Sequence, residues 1–176
     1  PATALAADDD GLPTASEKNF FANGTPITIS ESAPANGAKT TLSGLTTGTS
    51  AYISWDDNGT TKYVGVPADV VVWGGGDGSQ EAVTVSDTSI TMTGGKVYSI
   101  LGGNFGKQNQ IEEDCSSVTG NVDISVSGGT VTNIIYGGGE NNTCVNGTVT
   151  ITLDNVELGN CYVNGGVLGH GPEGTR

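Results

Sequence analysis

Carboxylates are the residues of this chain with the most chemistry to offer. Glu112-Glu113-Asp114 stand together with Lys107 just upstream, and further acids occur at Asp8-Asp9-Asp10, Asp56-Asp57 and Asp77. A polysaccharide lyase needs a Lys or Arg base beside carboxylates that hold a cation against the substrate's uronate. The bases on offer are Lys62, Lys96 and Lys107, with no Arg before Arg176. A glycosidase needs two carboxylates roughly 5 to 9.5 Å apart across a cleft, and no spacing here sets such a pair. An acidic loop on a hydrated surface accounts for Glu112–Asp114 without catalysis. No catalytic residue is assigned, and the chain is read as not an enzyme, with a carbohydrate-active enzyme as the alternative.

The same acids are hard oxygen donors of the kind calcium takes. Gly74–Ser79, GGGDGS, has the composition of one nonapeptide calcium unit, but it stands alone without tandem copies. The cofactor expectation is therefore none, a structural calcium being the one exception. Cys115, Cys144 and Cys161 form no CxxC pair, and His170 has no local partner, so a zinc site is not expected. Cys115 and Cys144 each lie in the loop ahead of a strand-like run in successive repeats. Stacking would bring those loops side by side and make Cys115–Cys144 the candidate disulfide, with Cys161 left as a small core residue.

Nineteen acids against six bases give a net charge of −13. That field repels phosphates, which argues against nucleic-acid partners. No run of 18 apolar residues exists, so no membrane insertion is expected. Ala4-Leu5-Ala6 followed by Asp8–Asp10 has the small-x-small form of a signal-peptidase site, which points to export and an extracellular or cell-surface setting. Four Asn-x-Thr sequons begin at Asn23, Asn58, Asn141 and Asn146, a frequency that Gly/Asn/Thr-rich turns produce by chance.

The elements that would position these residues are strands. Glycine pairs recur at Gly74-Gly75, Gly102-Gly103, Gly137-Gly138 and Gly165-Gly166, at spacings of 28, 35 and 28 residues. A period of this size marks stacked units, and the longer interval places an inserted polar loop at Asn104–Thr119. Each unit holds an alternating run (Ser89–Thr93, Asp123–Ser127, Thr148–Thr152) and a second run ending on the glycines (Val70–Trp73, Val97–Leu101, Val131–Tyr136, Cys161–Val163). Gly94-Gly95 and Gly128-Gly129 separate the two as corners, with Asp154-Asn155 in that place in the last unit. The runs place Ile90/Met92, Ile124/Val126 and Val149/Ile151/Leu153 inward. Outward, they give columns Ser89/Asp123/Thr148, Thr91/Ser125/Thr150 and Thr93/Ser127/Thr152, whose Thr content reflects ordinary strand preference.

Nothing reads as a helix, and the units are too short for propeller blades. The fold expectation is all-β: a parallel, right-handed β-helix with an N-terminal cap containing a β-hairpin, the alternative being an antiparallel sandwich. Residues 1–18 are read as a flexible segment, 19–66 as the cap and 67–176 as β-helix repeats within a longer chain. In the cap, Asn58-Gly59 between alternating strands marks a hairpin, with Trp55 and Tyr63 expected to face each other across it.

The phrases GGTVTNIIYGGG and SITMTGGKVYSILGGN, with FFANGTPITI and AYISWDDNG ahead of them, resemble repeats in large surface proteins of gut and oral Firmicutes-type bacteria. Those repeats have a pectin-lyase-like fold and the proteins are described as adhesins; the resemblance implies no catalytic residues. It implies a non-catalytic extracellular module that binds a host or environmental glycan or protein, with a structural stalk as the alternative. The contact residues expected on the variable side are Asn104, Lys107, Glu112, Glu113, Asp114, Glu140, Asn141 and Asn142, because loops on rigid scaffolds carry binding residues.

Overall fold

The structure, a computed structural model, describes residues 11–107, 115–156 and 158–166. Among these the chain is all-β, with no helix. The front third contributes β1 (Thr14–Ser16), β2 (Asn19–Phe21), β3 (Ile27–Ser30), β4 (Ala38–Lys39), β5 (Ala51–Asp57) and β6 (Thr60–Val66). Then follow β7 (Val71–Trp73), β8 (Thr84–Val85), β9 (Thr88–Met92), β10 (Lys96–Leu101), β11 (Ser116–Val118), β12 (Val122–Val126), β13 (Thr130–Tyr136), β14 (Thr143–Val145), β15 (Val149–Leu153) and β16 (Tyr162–Asn164).

From β7 onward the strands fall into three sheets in a fixed cyclic order. Strands β7, β10, β13 and β16 lie in a six-stranded sheet behind β1 and β2; β8, β11 and β14 form a three-stranded one; β9, β12 and β15 join β3, β5, β6 and β4 in a seven-stranded one. Each strand from β7 to β13 pairs in parallel with its counterpart three strands later. The front third enters the same columns: β2 pairs in parallel with β7, and β3 with β9. Antiparallel partners then close that side, β1 on β2 and the β5–β6 hairpin on β3.

The register turns the alternating sequence into continuous apolar columns. Trp55, Ile27, Ile90, Ile124 and Ile151 lie in one line across five strands, and Ile53, Ile29, Met92, Val126 and Leu153 in the next. Phe20, Val72, Ile100, Ile135 and Val163 form a third column, and Val85, Val118 and Val145 a fourth. All of these are buried except those of the final circuit.

The corners follow the residues expected of them. Gly95 and Gly129 take φ of 84° and 90°, and Asn155 takes 53° at the equivalent place. This left-handed region is open to Gly and accessible to Asn, but costly for most L-residues. At the second glycine position the reason is space. A Cβ on Gly102 would run into Val122 Cγ1 and lie 2.5 Å from the Gly137 carbonyl oxygen.

Several expectations change. The stretch to Lys18, read as loose, is ordered in its described part: Thr14–Ser16 is a strand, and Lys18 pairs with Asp69 at 2.5 Å. Asn58-Gly59 does make the two-residue hairpin turn, with φ of 52° and 83°, but Trp55 and Tyr63 do not face each other. Trp55 is opposite Lys62, on the inner face and beside Phe20; Tyr63 is opposite Ser54, on the outer face and against Tyr52. The outward columns are Ser89–Asp123–Thr150 and Thr91–Ser125–Thr152, so the last strand is two residues away from the expected alignment. Alternation fixes the face of a strand, and a slip of two leaves the face unchanged.

Candidate binding face

The turn that follows each glycine pair stacks on its neighbours. Asp77 bridges Phe105, and Phe105 bridges Glu140, both in parallel. Asn104 lies inside this stack, fully buried. Its Oδ1 accepts the Gly76 N–H at 2.8 Å, and its carbonyl accepts the Glu140 N–H at 3.1 Å. Asn104 thus bonds to the circuit before it and the circuit after it.

This corrects part of the expected contact surface. Asn104 and Asn142 are both buried, and the Asn142 carbonyl accepts the Ser116 N–H at 3.1 Å. They are internal struts. Asn141, at φ 65°, is half-buried and its Nδ2 donates to the Gly106 carbonyl at 3.3 Å. Glu140 is half-buried, and burial raises its carboxyl above the usual carboxylate range. Lys107 is exposed. Glu112, Glu113 and Asp114 lie outside the described residues, as do Asp8–Asp10 and His170.

Along this flank lies a second, smaller apolar cluster that the sequence did not single out, with Phe21, Trp73 and Leu101 buried at its centre. Phe21, Trp73, Leu101 and Tyr136 are in register on the outward side of the six-stranded sheet. Phe21 stacks on Trp73 at 6.0 Å, and Phe105 packs on Trp73 at 5.1 Å. The Trp73 indole N–H donates to Asn19 Oδ1 at 3.0 Å, which satisfies its one polar group. Ile134 and Tyr136 pack against this cluster and remain half-exposed. Tyr162, in register with Ile134, is 74% exposed. Tyr98 is exposed on β10 of the same sheet. The available signal was the unbroken apolar runs Val71–Trp73, Ile100–Leu101 and Ile134–Tyr136, which mark strands apolar on both faces.

The disulfide joins Cys115 and Cys144, with Cα atoms 6.2 Å apart, beside the parallel pairing of β11 and β14. Cys161 precedes β16 rather than lying within it, and packs half-buried against the core. Burial raises its thiol above the ordinary range, partly opposed by a backbone hydrogen bond from Ile135.

Among the described residues no group of three or more His, Cys, Asp or Glu is placed to hold a metal ion. The acids that drew attention in turns are engaged locally: Asp56 accepts the Gly59 N–H, Asp57 the Asn58 amide, and Asp77 the Ser79 N–H. No helix among the described residues is long and apolar enough to cross a membrane. No family model, curated protein or solved structure matches the chain.

Proposed function

We propose that the chain is a three-faced parallel β-helix, capped at its N-terminal side, that serves as a non-catalytic extracellular module and binds a host or environmental glycan or protein. The fixed cyclic order of strands among three sheets, with every later pairing parallel, supports the helical winding. The Cys115–Cys144 bridge fits an oxidising compartment. The resemblance of the repeat phrases to bacterial surface adhesins agrees with both.

One observation carries the binding assignment. Ile134 and Tyr136, half-exposed, and Tyr162, exposed, leave apolar and aromatic surface on the sheet, beside a turn column bearing Glu140, Asn141 and Lys107. Aromatic rings supply large contact area at low conformational cost, with a polar tip for orientation. Such a strip suits sugar faces or a protein patch, while a net charge of −13 disfavours phosphate-rich partners.

The test is a glycan array and a host-protein pull-down comparing the wild type with a Tyr136→Ala/Tyr162→Ala double variant. Truncating two central contact aromatics costs about 2 kcal/mol or more, roughly thirty-fold in Kd. Capture of neither glycan nor protein by a folded wild type overturns the binding assignment. It leaves the stalk reading, which the inward use of Asn104 and Asn142 as connectors favours.

A further inference from the structure

Asparagine followed by glycine carries a covalent reaction within the chain itself. The glycine nitrogen attacks the Asn side-chain carbonyl, and glycine favours this because it has no Cβ and rotates freely. Such pairs stand at Asn23-Gly24, Asn36-Gly37, Asn58-Gly59 and Asn146-Gly147, and the fold holds them differently. Asn23 is buried, its Nδ2 donates to the Leu12 carbonyl at 3.0 Å and to Thr14 Oγ1 at 3.1 Å, and the Gly24 N–H donates to the Gly74 carbonyl at 3.0 Å. Asn36 is exposed, but the Gly37 N–H closes a turn on the Pro34 carbonyl at 3.0 Å, and a Cβ on Gly37 would lie 2.7 Å from Tyr63 Cδ1. Asn146-Gly147 borders β14 in the last described circuit and is given no rank.

Asn58-Gly59 is held by side chains alone. Both residues are exposed at the tip of the β5–β6 hairpin, and no atom lies within 4 Å of the Cβ position on Gly59. The Gly59 N–H donates to Asp56 Oδ1 at 2.9 Å, and Asn58 Nδ2 donates to Asp57 Oδ1 at 3.0 Å. Asp56 is itself exposed, so one side-chain rotation frees the Gly59 nitrogen without breaking any main-chain pairing. We propose that Asn58 is a site of spontaneous covalent modification in this chain, held in check by the Asp56 carboxylate. In the reaction the Gly59 nitrogen bonds to Asn58 Cγ and gives its proton to solvent base. The Cγ–Nδ2 bond breaks, and the nitrogen takes up a proton and leaves as ammonia. Water then opens the cyclic imide on one side or the other, leaving an aspartyl or an isoaspartyl residue at position 58; nothing is oxidised or reduced. Asp56 slows the first step in two ways. It occupies the N–H that must be lost, and its negative charge disfavours a second negative charge forming beside it. The isoaspartyl product matters to the fold, because it adds a main-chain carbon to a two-residue turn whose φ values of 52° and 83° suit the register of Asp57 on Thr60 and Trp55 on Lys62.

The test incubates the whole wild-type chain, the Asp56→Ala and Asp56→Asn variants, and a synthetic peptide copying residues 52–63 in mildly alkaline buffer. Peptide mapping by mass spectrometry follows the replacement of NH2 by OH at each Asn, with the aspartyl and isoaspartyl peptides separated by chromatography. In the wild type Asn58 converts ahead of Asn36, and more slowly than in the free peptide. In Asp56→Ala it converts about threefold to tenfold faster than in the wild type, the range one hydrogen bond accounts for. Asp56→Asn, which keeps an acceptor oxygen and removes the charge, falls between the two. Asn23 stays unmodified throughout, which certifies the fold; if it converts in Asp56→Ala, that variant has unfolded and Asp56→Asn alone decides. The proposal is overturned if Asn36 converts as fast as Asn58 in the wild type, or if the variants exceed the wild type by less than about 1.5-fold. Slower conversion in the variants also overturns it, by making Asp56 a base that promotes the reaction.

Discussion

Removing the Cys115–Cys144 bridge tests how much of this fold's stability comes from outside its small core. The cysteines are 29 residues apart and the loop they close spans one complete circuit, through β11, β12 and β13. In the chain-entropy treatment, closing a loop of that size removes about 12 cal/mol/K from the unfolded ensemble, or about 3.6 kcal/mol at 25 °C. The native state has little to lose in exchange. Ser116–Thr143 and Val118–Val145 are already held in register by backbone pairing, with Ser116 N–H on the Asn142 carbonyl and Asn146 N–H on the Val118 carbonyl. For the Cys115→Ser/Cys144→Ser variant, a slope of about 3 kcal/mol/M in urea gives a midpoint roughly 1.2 M below the wild type. Native-state hydrogen exchange supplies the second reading: Ser116 and Asn146 amides keep their protection relative to the global value, because the pairing does not depend on the bridge. A midpoint shift under about 0.3 M refutes the entropic argument. Selective loss of protection at those amides refutes it differently, by showing that the bridge holds the three-stranded sheet together.

Two further outcomes follow from packing and charge. Ile124→Ala, inside a five-residue column and fully buried, should lower the unfolding free energy by about 2–5 kcal/mol in urea titration, while Ser125→Ala on the outward face stays within about 0.5 kcal/mol. Glu140, whose pKa burial raises above that of a free glutamate, contributes most favourably when protonated. Its contribution is full below that ordinary value and is lost as pH rises through the raised one. Glu140→Gln should therefore flatten the decline of stability across that window and exceed the wild type at pH 7; a wild-type-like pH profile contradicts the burial argument.

The alternating runs made the seven-stranded sheet legible, because period-two alternation names its buried face directly, as Ile90, Ile124 and Ile151 show. The double glycines made the six-stranded sheet legible for a different reason: a column in which carbonyls approach within the reach of a Cβ tolerates no side chain. The three-stranded sheet stayed hidden. Its members Thr84–Val85, Ser116–Val118 and Thr143–Val145 have two or three residues each, too few to display any period, and Ser116–Val118 lies inside the polar stretch Asn104–Thr119 that reads as loop. The aromatic strip was missed for the opposite reason. Trp73, Leu101 and Tyr136 extend apolar runs that already look like core, so nothing in the run says which of them point outward.

Polar turn residues are the harder lesson, and they bear on function. Asn104 and Asn142 stand between glycines and acids, as binding-loop residues do, yet both are buried. A stack of circuits explains why. Each turn leaves main-chain N–H groups facing its neighbour, and a buried donor without an acceptor is costly. Short side chains carrying an acceptor oxygen meet that need: Asn104 Oδ1 takes the Gly76 N–H, Asp87 Oδ1 the Asn121 N–H, and Asn121 Oδ1 the Thr148 N–H. These side chains tie one circuit to the next in the same way at different corners. Asn104, Asp87 and Asn121 are thus committed to stacking before any ligand is considered. What stacking leaves exposed or half-exposed is Tyr98, Tyr136 and Tyr162 on the six-stranded sheet, with Lys107 exposed and Glu140 half-exposed on the turns, and the proposed binding rests on these.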